Sequence, residues 1–124
     1  EWKSCKYDLI VSAGVFHHIP HIEHSKVIEK LSSFLNPNGK LVVWEHNPLN
    51  PITQKIIRDC PIDEDAVLVS SKNIRILFEK VSLSNIKISY TTFFPKFLSA
   101  LNFMDRFLGW LPLGGQYLVT GQKN

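Results

Sequence analysis

Two short apolar runs, YDLIVSA at 7–13 and KLVVWEH at 40–46, stand on either side of one amphipathic pattern, and this limits the fold more than any other feature. Both runs are continuous rather than alternating, which predicts strands of a parallel-type sheet buried on both faces. Between them, over 22–35, Val27, Ile28, Leu31 and Leu35 fall at helical spacing, with Glu23, Lys26, Glu29 and Lys30 off that stripe. The tetrapeptide NPNG at 36–39 then reads as a turn. Strand, loop, helix, turn and strand make a right-handed βαβ unit with its two strands parallel.

The rest of the chain extends that unit. A helix is expected over 52–59, after the proline-containing loop NPLNP at 47–51. Ser70 or Ser71 caps a second clear helix, in which Ile74, Leu77, Phe78 and Val81 obey the i, i+3, i+4, i+7 rule. Residues 86–94 read as a strand, 96–115 as an apolar helix running into a Gly/Pro-rich loop, and 116–123 as a final strand. Phe97, Leu101, Met104 and Leu108 share one face of that helix and are expected to pack in the core. The late strands are candidates for an antiparallel pair. No repeat or internal boundary divides the 124 residues, so they read as one α/β domain.

Composition narrows the function classes. The 44% hydrophobic and 20% charged fractions suit a globular core. The net charge of +3 comes from scattered lysines, with no basic run, which argues against nucleic acid as a partner. Cys5 and Cys60 are far apart and in no CxxC pair, so two free thiols in a reducing, cytoplasmic setting are expected. The opening EWKSCKYD has no signal-peptide character, and no apolar run is long enough to span a membrane.

The stretch AGVFHHIPHIEH, 13–24, holds four of the five histidines. In open α/β sheets ligands sit beyond the carboxyl ends of the strands, where this stretch begins. His17 and His18 are candidates for substrate contact or general-base work, since imidazole accepts protons near neutral pH. His21 and His24 read as surface residues at a helix entry. A metal triad of His17, His21 and His24 is disfavoured, because Pro20 breaks any helical i, i+4 relation and no cysteine is nearby. Glu45, His46 and Asn47 close the second strand on the same rim, where a substrate could lie; the alternative for Asn47 before Pro48 is loop anchoring. The acid cluster Asp63–Asp65 reads as solvated or as a helix cap.

YDLIVSAGVFHHI, an amphipathic helix, and LNPNGKLVVWEHN, in that order, resemble the second half of a class I S-adenosylmethionine-dependent methyltransferase. The points of resemblance are Tyr7 and Asp8 opening the strand, His18 and Ile19 in the loop after it, and Leu35-Asn36-Pro37-Asn38-Gly39 at the turn, with Asn38 where the family has glycine. The resemblance implies a partial Rossmann-like sheet made of the family's last four strands, mixed, with an antiparallel edge pair and flanking helices. It implies S-adenosylmethionine as cofactor, with Ser12, Ala13, Gly14, Val15 and Phe16 beside it, and Phe16 offering an apolar surface. His18, Glu45 and His46 are then the candidates for catalysis, and His17 and Asn47 for substrate contact, with no metal. The acceptor would be a small molecule, including one in cell-surface polysaccharide or lipid-linked metabolite synthesis.

One departure shapes this expectation. The family's G-x-G-x-G cofactor turn is not found around any of the six glycines. The chain therefore reads as the C-terminal part of a longer domain, inactive alone, whose strand at 7–13 is left as an open edge able to pair with a second copy. The aromatic segment 93–113 is a candidate lid, or a peripheral contact with a membrane surface. The rival reading is a non-catalytic α/β module that assembles through the open edge; a dinucleotide-binding half is weaker, since nothing suits a pyrophosphate.

Overall fold

In the computed structural model, which describes residues 5–124, strand β1 (Tyr7–Ala13) leads through two 3-10 turns, Phe16–His18 and His21–Glu23, into helix α1 (His24–Ser33). Strand β2 (Leu35–His46), helix α2 (Pro51–Arg58), a 3-10 turn at Pro61–Asp63 and helix α3 (Ser71–Lys80) follow. Strand β3 (Ser84–Thr91), a run of 3-10 turns over Lys96–Met104, the short helix α4 (Asp105–Leu108) and strand β4 (Gln116–Gln122) complete the chain. The four strands form one sheet in the order β1-β2-β4-β3. β1 and β2 are parallel, whereas β4 runs antiparallel to both β2 and β3. The carboxyl ends of β1, β2 and β3 and the start of β4 thus share one rim.

The turn expected at NPNG lies within β2. The pairing with β1 jumps from Tyr7–Leu35 to Leu9–Lys40, so the intervening residues of β2 bulge out of the ladder. Asn38 has φ +65°, and a Cβ on Gly39 would come within 2.9 Å of the Asn36 and Tyr7 carbonyl oxygens. The motif's glycine is therefore demanded by close backbone approach.

One sheet face carries the core. Leu41 and Val43 of β2 and Tyr117 and Val119 of β4 pack with Ile28 of α1 and Ile74 and Phe78 of α3. Ser70 caps α3 by accepting the Asn73 N–H, and Asn50 caps α2 by accepting that of Thr53. Tyr117 is buried and its hydroxyl donates to the Val69 carbonyl at 2.7 Å. Burial holds this phenol above its usual pKa.

Two expectations fail here. β1 is not buried on both faces: Leu9 and Val11 remain 57% and 55% exposed, because the helices cover only the opposite face. Nor is 96–115 a continuous core helix. The segment breaks into 3-10 turns with a kink at Leu98, and Phe97 is 84% exposed. A period of 3.6 in a short apolar run did not survive Pro95, Gly109 and Pro112, which delimit the turns.

Candidate functional site

The rim is organised by one buried carboxylate. Glu45 sits near the end of β2 with its side chain on the core face, in step with Leu41 and Val43, and is only 1% exposed. The parallel register sets the end of β1 beside it, Ala13 opposite Trp44. Glu45 Oε1 accepts the backbone N–H groups of Val15 at 2.8 Å and Phe16 at 2.6 Å. Its Oε2 accepts from His17 Nδ1 at 2.7 Å. Three of the carboxylate's four lone-pair directions are thus turned to protein donors, and three successive residues of the loop are tied to one side chain.

This bears on the catalytic assignment of Glu45. A carboxylate that accepts from three internal donors and is closed to solvent is a positioning group: it fixes the loop after β1 and orients the His17 ring. It does not reach an acceptor. With Nδ1–H committed to Glu45, His17 presents Nε2 toward the 3-10 turn at Pro61–Asp63, where it faces Asp63 Oδ1 at 3.5 Å. His18 Nε2 faces the same oxygen at 3.4 Å. The two imidazoles lie against each other, centroids 4.1 Å apart, and His46 approaches His17 edge-on at 5.1 Å. Burial, with a smaller contribution from His17, lowers the His46 pKa; Glu45 and Asp63 oppose the shift. His46 also lines a cleft with Thr53, Ile57, Thr92, Gly115 and Gln116.

The remaining sequence candidates separate. Ala13, Gly14 and Val15 are exposed at the carboxyl end of β1, Ser12 is half-buried, and Gly14 turns the chain at φ +64°. Phe16 points the other way. It is fully buried in the core, edge-on to His24, so it has no surface to give a cofactor. Asn47 is 2% exposed and anchors a loop: its Nδ2 donates to the Pro112 and Gly114 carbonyls at 3.0 and 2.7 Å, and its Oδ1 accepts the Leu49 N–H. Both polar atoms of that amide are engaged within the protein. His24, expected at the surface, is buried, and its Nε2 meets the carbonyl oxygens of Phe16 and Ile19. It fastens the loop to the start of α1.

Sequence reasoning missed Asp63 as a partner of the histidines. The two segments are more than forty positions apart, and no local periodicity joins them. The Val67 N–H donates to the His17 carbonyl at 2.9 Å, and this tie draws the acidic turn across the rim. The only signal was the cluster of acids itself.

The fold is that of the SAM-dependent methyltransferases. The chain superposes on a SAM-dependent methyltransferase from Archaeoglobus fulgidus with TM-score 0.75 and 13% identity, over 98% of this chain and 61% of that one. An O-methyltransferase family protein from Burkholderia thailandensis gives 0.69 and 12% identity, over 99% of this chain and 32% of the other. A phosphoethanolamine N-methyltransferase from Haemonchus contortus, in complex with S-adenosyl-L-methionine, gives 0.58 and 13%, over 94% and 33%. No family model matches the sequence, and no curated protein is similar to it by sequence. The chain spans less than two thirds of the length of each of these structures. The expected partial Rossmann-like sheet, mixed and with an antiparallel edge pair, is thereby found.

Proposed function

We propose that this chain supplies the acceptor-facing part of an S-adenosylmethionine-dependent methyltransferase acting on a small molecule. The observation that carries the reading is the rim. The parallel β1 and β2 end together, and the loop that follows β1 is exposed at Ala13–Val15 yet held rigid by Glu45. Loops just beyond parallel strand ends are where α/β sheets receive ligands. Ser12, Ala13, Gly14 and Val15 fit one wall of a cofactor site: an exposed turn with a glycine at its apex, open to close approach. The glycine-rich turn and the ribose-binding acid of the family have no counterpart in this chain.

The bound cofactor supplies an activated methyl group for in-line transfer. What the chain's residues add is position. Glu45 holds the loop and the His17 ring. His18 and His46 are the imidazoles placed to receive an acceptor or its proton, His18 from the solvent side and His46 from the cleft. The aromatic segment supports an apolar or lipid-linked acceptor: Phe97, Phe103, Phe107 and Trp110 are exposed beside the cations Lys96 and Arg106. No helix among the described residues is long and apolar enough to cross a membrane. The two free thiols, Cys5 and Cys60, support a cytoplasmic setting.

Titration of the 15N-labelled chain with S-adenosylhomocysteine tests this. The amides of Ser12 to Val15 and of Trp44 to His46 are expected to shift, weakly and saturably. Shifts confined to other regions, or none at millimolar ligand, would overturn the assignment of this rim to the cofactor.

A further inference from the structure

The geometry points to a transition-metal site of the zinc class at His17 Nε2, His18 Nε2 and Asp63 Oδ1. The three ligating atoms lie within 4.8 Å of one another. One carboxylate oxygen faces two imidazole nitrogens, at 3.5 and 3.4 Å. These separations are too long for charge-assisted hydrogen bonds, which close to about 2.7–2.9 Å. The same loop makes such bonds where they are wanted, at 2.6–2.8 Å to Glu45. The two imidazole–carboxylate spacings are close to those of ligands around a common ion, since metal bonds of about 2.0–2.1 Å in a tetrahedron set neighbouring donors about 3.3 Å apart; the set as a whole spans up to 4.8 Å, and exposed His18 is the ligand free to close on the ion.

The outer contacts agree. A metal-binding histidine usually donates its other ring N–H to a carboxylate, which fixes the tautomer and aims the free lone pair at the ion. His17 does this to Glu45 at 2.7 Å, with both partners buried. Buried His17, half-buried Asp63 and exposed His18 form a wall open on one side, so three protein ligands leave a coordination position toward solvent. Two imidazoles and one carboxylate suit zinc, cobalt or iron(II). They disfavour magnesium and calcium, which take all-oxygen sets. This grouping is not the His17, His21 and His24 triad that the sequence disfavours: His24 is bound to backbone carbonyls, and His18 and Asp63 stand in place of His21 and His24.

An ion on His18 Nε2 takes that nitrogen from the acceptor and leaves His46 as the imidazole for its proton; metal alone tests the inference, so its outcome is separate from that of methyl transfer. Calorimetry of the 124-residue chain with Zn2+, and visible absorption with Co2+ as the spectroscopic probe, should give one saturable site with the strong bands of low-coordinate cobalt. His18→Ala and Asp63→Asn should each abolish it; His18 is exposed and the Asp63 change is isosteric, so both variants are expected to fold. His21→Ala should leave binding intact, and Glu45→Gln should weaken it by about 10–100-fold. Absence of saturable Zn2+ binding would overturn the site. So would binding that survives both His18→Ala and Asp63→Asn, which would place the ion elsewhere. Mg2+ binding in preference to Zn2+ would overturn the assignment of metal class.

Discussion

Replacing Glu45 separates two roles that its carboxylate combines, shape and hydrogen-bond acceptance. In Glu45→Ala the Phe16 N–H and the His17 Nδ1–H lose their acceptor inside the protein, while Val15 lies nearer to solvent. Each buried donor left unsatisfied costs about 1–3 kcal/mol, so the pair contributes roughly 4 kcal/mol of destabilisation before any cavity is counted. Glu45→Gln keeps one oxygen for the two backbone amides. Its NH2 group then meets His17 Nδ1, and the imidazole must change tautomer to accept from it. A loss of about 1–2 kcal/mol is expected for this variant. Domains of this size have about 5–15 kcal/mol of stability in total, so the alanine variant should be visibly crippled and the glutamine variant only weakened. Urea denaturation followed by circular dichroism measures both. In thermal melts the two variants should differ by roughly 6–18 °C, at about 3–6 °C per kcal/mol. If Glu45→Ala lies within about 1 kcal/mol of the parent, the loop is not held by this carboxylate. If the glutamine variant is as damaged as the alanine, negative charge rather than acceptor geometry does the holding. The glutamine change also sends the His17 proton to Nε2, toward Asp63, which is why it serves as the outer-contact variant in the metal experiment.

Asn47→Ala, which removes the ties to Pro112, Gly114 and Leu49, should cost about 2–3 kcal/mol in urea denaturation; an unchanged midpoint would return Asn47 to the list of substrate contacts. Tyr117→Phe should cost about 1–2 kcal/mol by the same measurement, since it leaves the buried Val69 carbonyl without its donor, and a neutral result would refute that bond's contribution. The outer edge of β1 has no strand partner among the described residues and carries exposed Leu9 and Val11, so concentration-dependent association through this edge is expected in size-exclusion chromatography. Val11→Lys should abolish it, and a monomer at every concentration would refute it. For the aromatic segment, sedimentation with anionic vesicles should be reduced by the pair Phe97→Ser and Trp110→Ser; no vesicle binding by the parent chain would remove the membrane contact.

The sequence by itself determined the βαβ unit and the strands at the end of the chain. Strand β1 at 7–13, helix α3 with its Ser70 cap, and strand β4 are readable because a two-sided apolar run, a 3.6 period and a capping hydroxyl are local properties of consecutive residues. It also marked the rim, because Gly14 and the polar residues after Trp44 end their strands. Tertiary structure decided what the rim residues do. Phe16 and His18 are two positions apart, yet a 3-10 turn sends one into the core and the other to solvent. Glu45 reads as a catalytic group and Asn47 as a substrate contact until their donors and acceptors are seen to be engaged by residues 15–17 and by 49 and 112–114. Asp63 joins His17 and His18 only through chain closure across the sheet. Pairing partners distant in sequence leave no periodic trace, because the forces that unite them act through space and depend on how the core has packed. The segment 93–113 shows the converse. Its apolar period promised a buried helix, but burial needs a facing surface, and the described core cluster includes neither Phe97 nor Trp110, which stay exposed.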